Sequence, residues 1–114
     1  MTRPFLSIVI PAHNEAKRLP PSLEKINAFL SLQSFTYEVL VVENGSTDGT
    51  LAVAESFIAK MPYLRVIHEE QRGKGLAVKR GMLEAVGEYR FFCDADLSMP
   101  IEQVLRFKIG RAHV

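Results

Sequence analysis

Short apolar runs alternate with amphipathic stretches along this chain. Four runs rich in β-branched and aromatic residues predict β-strands at 5–10, 37–42, 64–67 and 89–93. Apolar residues recur at helical spacing after Pro21, after a cap at Thr47 or Asp48, and between Gly73 and Gly87. Pro100 opens a fourth stretch of this kind. The pattern therefore predicts four strands and four helices in alternation.

This alternation determines the expected fold class. Strands joined through helices pair in parallel with right-handed crossovers, so we expect a Rossmann-like α/β domain with a mostly parallel sheet and helices on both faces. The run 37–42 is nearly all apolar, which indicates a strand covered on both faces. Ligands bind such sheets outside the carboxyl ends of the strands. Polar residues gather at those ends, at 11–15, 43–48 and 94–96, and predict a ligand site there.

Composition excludes several classes of protein. The chain has 114 residues, which suits one domain, and a net charge of +1, which argues against a nucleic-acid partner. No run approaches the roughly 20 apolar residues of a transmembrane helix. Cys93 is the one cysteine, so no intrachain disulfide can form and a reducing compartment is expected. We therefore expect a cytoplasmic protein, with peripheral contact at the cytoplasmic face of a membrane as the alternative.

Two carboxylates, Asp94 and Asp96, follow the fourth apolar run one residue apart. If strand geometry continues, both point to the same side, where they repel each other unless a cation lies between them. Mg²⁺ or Mn²⁺ prefers oxygen ligands and would bridge the pair to a diphosphate. The alternative is a pair of solvated turn residues that cap the next helix.

Two further segments carry candidate binding residues. The turn 43–49 can present the Asn44 side-chain carbonyl to a base N–H, or it can be a glycine-rich turn before a capped helix. The segment 72–80 places four cations beside two glycines, which suits phosphate oxygens or a solvated helix face. It is not a Walker loop, because His68 stands where that spacing requires glycine. His68 and Cys93 are expected to be structural.

Four segments together resemble family 2 glycosyltransferases. They are Ser-Ile-Val-Ile-Pro-Ala-His-Asn-Glu at 7–15, Val-Val-Glu-Asn-Gly-Ser-Thr-Asp-Gly-Thr at 41–50, Arg-Gly-Lys-Gly-Leu-Ala-Val-Lys-Arg-Gly-Met at 72–82 and Phe-Cys-Asp-Ala-Asp-Leu at 92–97. The family commonly has Tyr where this chain has His13, and two Asp where it has Glu43 and Asn44. The last two segments look most like the branch that transfers sugars to polyprenyl or dolichyl phosphate, including the dolichyl-phosphate β-glucosyltransferases.

The resemblance implies a GT-A fold and a metal-dependent transfer from a nucleoside-diphosphate sugar, with a UDP-sugar favoured and a GDP-sugar as the alternative. A polyprenyl or dolichyl phosphate is the expected acceptor. Asp94 and Asp96 would bind Mg²⁺ or Mn²⁺ and stabilise the departing diphosphate. The residues expected to bind the nucleotide sugar are Pro11, Ala12, His13, Glu15, Glu43, Asn44, Lys74, Asp94, Ala95 and Asp96. No catalytic base is assigned.

Two other classes of function fit parts of the sequence. A nucleotidyltransferase also combines an α/β sheet with a carboxylate pair, but it would carry a glycine-rich basic loop after its first strand, where this chain has Pro11–Glu15. A non-catalytic doubly wound binding module would explain an acidic pocket at the strand ends but not the Gly-Lys-Gly segment. Released pyrophosphate would identify the first, and binding of phosphoryl donors instead of UDP-sugar the second.

The end of the chain departs from the pattern that precedes it. Residues 1–107 are expected to form the nucleotide-sugar-binding half of a truncated glycosyltransferase domain. The helical pattern is lost at 108–114, where Gly110 interrupts it. The residues 109–114 can be encoded by ATCGGAAGAGCACACGTC, which matches the start of a common sequencing-library adapter. We therefore expect 108–114 to be a non-native tail.

Overall fold

The computed structural model describes residues 3–97 and 101–102, and its centre is a parallel sheet of four strands. The strands are β1 (Leu6–Ala12), β2 (Tyr37–Asn44), β3 (Leu64–Glu69) and β4 (Tyr89–Phe92). Neighbouring strands pair in the order β3-β2-β1-β4, all in parallel. The predicted α/β fold class is thereby confirmed.

The two central strands extend further toward the predicted site than the sequence pattern indicates. β1 continues through Pro11 and Ala12, which pair with Val42 and Glu43 of β2. Proline cannot donate a ladder hydrogen bond, but β4 pairs with β1 only as far as Val9, so Pro11 lies beyond that ladder. The polar ends of β1 and β2 are therefore held in regular strand geometry.

Three helices connect the strands: α1 (Leu19–Leu30), α2 (Thr50–Ser56) and α3 (Lys74–Glu84). α1 begins before the predicted start, with both prolines in its first turn, where their missing N–H groups have no helical partner to lose. Asp48 accepts a hydrogen bond from the N–H of Thr50 at 3.1 Å, so it satisfies a donor at the start of α2. Only residues 101–102 of the helix predicted from Pro100 are described, as a turn, and the predicted tail 108–114 lies outside the described residues.

The helices cover the two faces of the sheet with two separate cores. Inward residues of α1, among them Leu23 and Ile26, pack with Ile8 and Ile10 of β1. On the other face Ala77 of α3 and Ala85, just after it, join a smaller cluster with residues of β1 and β2. Right-handed crossovers produce this division, because the chain steps from β1 to β3 in one direction and then returns to place β4 beyond β1. The reversal creates a switch point between β1 and β4, where α/β sheets bind ligands.

No helix within 3–97 and 101–102 is long and apolar enough to cross a bilayer.

Candidate functional site

A cleft of about 320 Å³ opens at the carboxyl ends of the strands, beside the switch point. Every residue predicted to bind the nucleotide sugar lines it except Glu43 and Asp96. Three residues from the α3 side complete its wall. The lining residues are Pro11, Ala12, His13, Glu15, Asn44, Arg72, Gly73, Lys74, Ala77, Asp94 and Ala95.

The loop after β1 is fastened to the loop after β2 by hydrogen bonds. Asn14, which has a left-handed backbone with φ of 53°, accepts a bond from the N–H of Thr47 at 2.8 Å through its side chain. The N–H of Glu15 donates to the buried Thr50 hydroxyl at 2.9 Å. His13 Nδ1 donates to the Asn44 carbonyl at 2.5 Å, which indicates the Nδ1-protonated tautomer. Two walls of the cleft therefore form one hydrogen-bonded unit.

Asn44 attaches the third loop to this unit. Its side chain is buried, and Nδ2 donates to the carbonyls of Glu69 at 3.1 Å and Gln71 at 2.5 Å. Its Oδ1 accepts the N–H of Gly73 at 2.8 Å. The amide thus holds the β3–α3 loop against β2. A carbonyl oxygen has a second lone pair, so Oδ1 keeps the capacity to accept a bond from a ligand.

Glu43 does not line the cleft, but its hydrogen bonds stabilise the chain segments next to the cleft. Its carboxylate is only 2% exposed and accepts hydrogen bonds from the Ser46 N–H and from His68 Nδ1, each at 2.5 Å. Burial alone would raise the pKa of Glu43, but the hydrogen bonds from Ser46 and His68 outweigh it and lower the pKa. His68 therefore has the structural role expected of it.

Asp94 enters the cleft and pairs with a lysine from the opposite wall. Its Oδ1 lies 2.5 Å from Lys74 Nζ, and that ammonium is 5.4 Å from the centre of the Phe92 ring. The preceding Cys93 is buried, as expected, and burial, with a smaller effect of Asp94, raises the pKa of its thiol to about 12. The thiol is therefore protonated and inert at neutral pH.

Asp96 lies at the rim because the chain turns after β4. The N–H of Leu97 donates to the Asp94 carbonyl at 3.0 Å, so strand geometry does not continue through the Asp-Ala-Asp segment. Asp96 lies 3.9 Å from an Arg18 nitrogen, and Arg18 also pairs with Glu15 at 2.6 Å. The condition under which both carboxylates would point to one side is thus not met: Asp94 pairs with Lys74 of α3, and Asp96 lies near Arg18, which immediately precedes α1.

The four cations of 72–80 have different surroundings. Arg72 and Lys74 line the cleft, whereas Arg80 pairs with Glu69 and Glu84 at 3.3 Å and Lys79 is exposed on α3. The hydrogen bonds that Arg80 donates to Glu69 and, with a smaller effect, to Glu84 raise its pKa. Within the described part of the chain, Arg72 has no carboxylate in ion-pair range, so its charge is available to an anion.

The carboxylate oxygens of Asp94, in the cleft, and of Asp96, at its rim, are chemically suited to a divalent ion that shares its coordination with a ligand. The described residues contain no group of three His, Cys, Asp or Glu side chains suited to hold a metal. Asp94 and Asp96 supply hard oxygen donors, which match Mg²⁺ and Mn²⁺, but they would leave several coordination positions to water or phosphate. This is the usual manner of binding for Mg²⁺ at phosphate sites.

Two residues that support the acidic segment 94–96 were not predicted from the sequence. Arg18 contacts the acidic segment at its rim, and the hydroxyl of Ser22 donates to the Ala95 carbonyl at 2.5 Å. Ser22 is buried on the inner face of α1, one turn before Ile26. A hydroxyl on an otherwise apolar helix face was a signal that a buried polar partner was needed. Arg18 carried no such signal, because its partner depends on the turn after β4.

Fold and site together define a parallel α/β domain with a cleft of charged residues at its sheet switch point. The family model described as Glycosyl transferase family 2 matches residues 7–107, and the chain belongs to this family. It is 46% identical over 99 residues to a Drosophila melanogaster dolichyl-phosphate beta-glucosyltransferase, an alignment that covers 80% of the chain and 30% of that protein. The chain therefore spans about a third of the length of the curated relatives it matches.

Solved structures agree with this assignment. The mannosyltransferase PcManGT from Pyrobaculum calidifontis, in complex with GDP-Man and Mn²⁺, superposes with a TM-score of 0.75 at 31% identity, covering 92% of this chain and 31% of that one. TarS 1-349 from S. aureus, in complex with UDP, gives a TM-score of 0.69 at 29% identity, covering 95% and 32%. The expected GT-A type of fold is confirmed.

Proposed function

We propose that this chain is the nucleotide-sugar-binding part of a glycosyltransferase that transfers a sugar from a nucleoside-diphosphate sugar to a polyprenyl or dolichyl phosphate. The observation that carries the proposal is the cleft at the switch point, which combines Asn44, Arg72, Lys74 and Asp94 in a family 2 domain. The names of the dolichyl-phosphate relatives support the acceptor class.

Asn44, Glu15 and His13 are proposed to contact the nucleoside. The two cations that line the cleft, Arg72 and Lys74, are proposed to contact the diphosphate. Asn44 Oδ1 has a lone pair for a base N–H, which uracil and guanine both carry. We favour a UDP-sugar over a GDP-sugar because the similar TarS and glucosyl-3-phosphoglycerate synthase structures contain UDP. Arg72 lines the cleft with its charge unpaired among the described residues, which supports a contact with diphosphate oxygens.

Asp94 and Asp96 are proposed to hold Mg²⁺ or Mn²⁺ together with the donor diphosphate. A divalent ion bound there supplies Lewis-acid stabilisation of the charge that develops on the leaving group. The presence of Mn²⁺ in the PcManGT complex supports this assignment. The chain's own part is to hold the carboxylates: Ser22 fixes the Ala95 carbonyl between them, and Arg18 and Lys74 limit their repulsion.

A phosphate acceptor removes the need for a strong catalytic base, because its oxygen is already anionic. Among residues 3–97 and 101–102, no carboxylate–histidine arrangement in the cleft would serve as one: the His68–Glu43 pair does not line the cleft, and His13 donates to a backbone carbonyl. We place the reaction at the cytoplasmic face of a membrane, where a lipid phosphate presents its head group.

Product analysis tests the proposal. The protein that carries this chain is incubated with Mn²⁺, a polyprenyl phosphate, and either UDP-glucose or GDP-mannose. We expect a released nucleoside diphosphate and a lipid-linked sugar, with UDP-glucose the better donor. Released pyrophosphate would indicate a nucleotidyltransferase instead, and no binding of either donor would contradict the proposal.

Asp96→Ala provides the matching variant. Loss of one oxygen donor should abolish turnover and weaken UDP binding in Mn²⁺, whereas the exposed Glu70→Ala should behave as the wild type. Wild-type turnover in Asp96→Ala would remove Asp96 from the metal site.

A further inference from the structure

The carboxylates proposed to hold the metal already have cationic partners from the chain itself. Lys74 is the first residue of α3 and reaches across the cleft to Asp94, with 2.5 Å between Nζ and Oδ1. Arg18 immediately precedes α1 and approaches Asp96 at 3.9 Å. One cation comes from each face of the sheet.

The Lys74–Asp94 contact is the closer of the two and places a positive charge beside the carboxylate that a divalent ion would use. An ammonium 2.5 Å from Oδ1 repels a divalent ion that approaches the same carboxylate, so the two cations compete for it. The side chains of Lys74 and Asp94 are 61% and 41% exposed, so solvent screens the pair and both side chains have room to move. The pair is worth little to folding and is free to exchange partners.

Lysine is well suited to such an exchange. Its ammonium is a point charge on a flexible stem, with three rotatable donors and no requirement for a planar partner. Lys74 and Asp94 both line the cleft beside Arg72, where the donor diphosphate is proposed to lie. A diphosphate in the cleft therefore offers Lys74 a new anionic partner at the moment when the metal takes Asp94.

From this geometry we infer that Lys74 is an internal counter-ion that competes with the divalent cation for Asp94 and moves to the donor diphosphate when the metal binds. The inference rests on the proposed function and adds a coupling to it. Lys74 weakens binding of the metal when the donor is absent and strengthens binding of the metal and the donor together. By linkage, the nucleotide strengthens metal binding by the same factor by which the metal strengthens nucleotide binding.

The inference predicts effects of opposite sign from one substitution. Lys74→Met keeps the length of the side chain and removes its charge. Mn²⁺ affinity of the nucleotide-free protein should rise about two- to fivefold, the range of an exposed ion pair. UDP affinity measured in saturating Mn²⁺ should fall by a similar or larger factor. Lys79→Met is the matched control, because Lys79 is exposed on the same helix and does not line the cleft.

Mn²⁺ binding is measured by loss of the free-ion electron paramagnetic resonance signal, with and without UDP, so the readout is independent of turnover. Tighter Mn²⁺ binding by Lys74→Met alone, together with weaker UDP binding, supports the exchange. Unchanged or weaker Mn²⁺ binding by Lys74→Met overturns it, even if the wild type binds both ligands. Absence of Mn²⁺ binding in every variant, or full binding by Asp94→Asn, contradicts the metal site itself and with it this inference.

Discussion

At the residue scale, Glu43 and Asn44 at the end of β2 have different tasks although they are adjacent. Successive side chains of a strand point to opposite faces, and here Asn44 lines the cleft while Glu43 does not. Both are buried, and the polar atoms of both side chains form hydrogen bonds with neighbouring segments of the chain. Their first effect on a ligand is therefore to fix the walls that it contacts.

Asn44→Asp should loosen the β3–α3 loop. The substitution replaces a donor with a carboxylate oxygen facing the carbonyls of Glu69 and Gln71, so two acceptors lose their partner while a charge is buried. We expect a loss of about 1–3 kcal/mol in stability. Hydrogen exchange of the amides at 71–75 should accelerate more than that of β1. Unchanged exchange at Gly73 would contradict the positioning role of Asn44.

Glu43 should contribute a stability that depends on pH in the acid range. Because the native pKa lies below the ordinary value of 4.5, the contribution is complete above that value and is lost as pH falls through the lowered native pKa. Glu43→Gln should therefore cost about 1–3 kcal/mol at pH 7 and progressively less toward pH 3. Thermal unfolding from pH 7 to 3 measures this. Glu70→Gln, at an exposed position, is the control, and equal pH profiles for both variants would refute the assignment.

At the element scale, α3 approaches the sheet closely because it carries a glycine where it crosses β1 and β2. A Cβ at Gly81 would lie 2.3 Å from Val9 Cγ1 and 3.0 Å from Val42 Cγ2. Helix and strands cannot keep this spacing with any side chain at position 81. The position of Lys74 at the cleft depends on it, since both residues belong to the same helix.

Gly81→Ala should therefore destabilise the domain by about 1–3 kcal/mol through overpacking. Gly75→Ala on the same helix is the matched control, because a Cβ there meets nothing within 4 Å. It should be neutral or stabilising by up to about 1 kcal/mol. Chemical denaturation of both variants gives the comparison. Equal stability of the two would mean that α3 shifts without cost.

The elements show how far the sequence pattern leads and where tertiary contacts take over. Apolar periodicity located all four strands and α1 to α3, because burial dictates residue type on each face. The ends of β1 and β2 were placed two residues short, because the pattern could not show that pairing continues through Pro11. Strand-end polarity predicted most of the cleft lining. The rim position of Asp96 could not be predicted, since it depends on a turn that Ser22 of α1 stabilises.

At the scale of the whole molecule, the strand order accounts for the location of the cleft. Because the sheet order is β3-β2-β1-β4, α1 and α3 begin near the switch point and lie on opposite faces of the sheet. The cleft between them is bordered by loops from all four strands, and hydrogen bonds already join three of these loops. A ligand that contacts Asp94 and Asn44 together would connect both faces of the fold.

Binding of a nucleoside diphosphate should therefore stabilise the domain as one unit. In the presence of Mn²⁺, UDP at ten times its dissociation constant should add about 1.4 kcal/mol to the free energy of unfolding. For a domain of this size that corresponds to a rise in Tm of about 5–10 °C. Differential scanning fluorimetry measures it, with GDP at the same concentration as the comparison of bases. Asp94→Asn should lose most of the shift, because it removes a charge from the proposed metal site, whereas Lys79→Met should retain it. A shift that is equal in Asp94→Asn and wild type would locate nucleotide binding outside this cleft, and a larger shift with GDP would reverse the proposed preference for UDP.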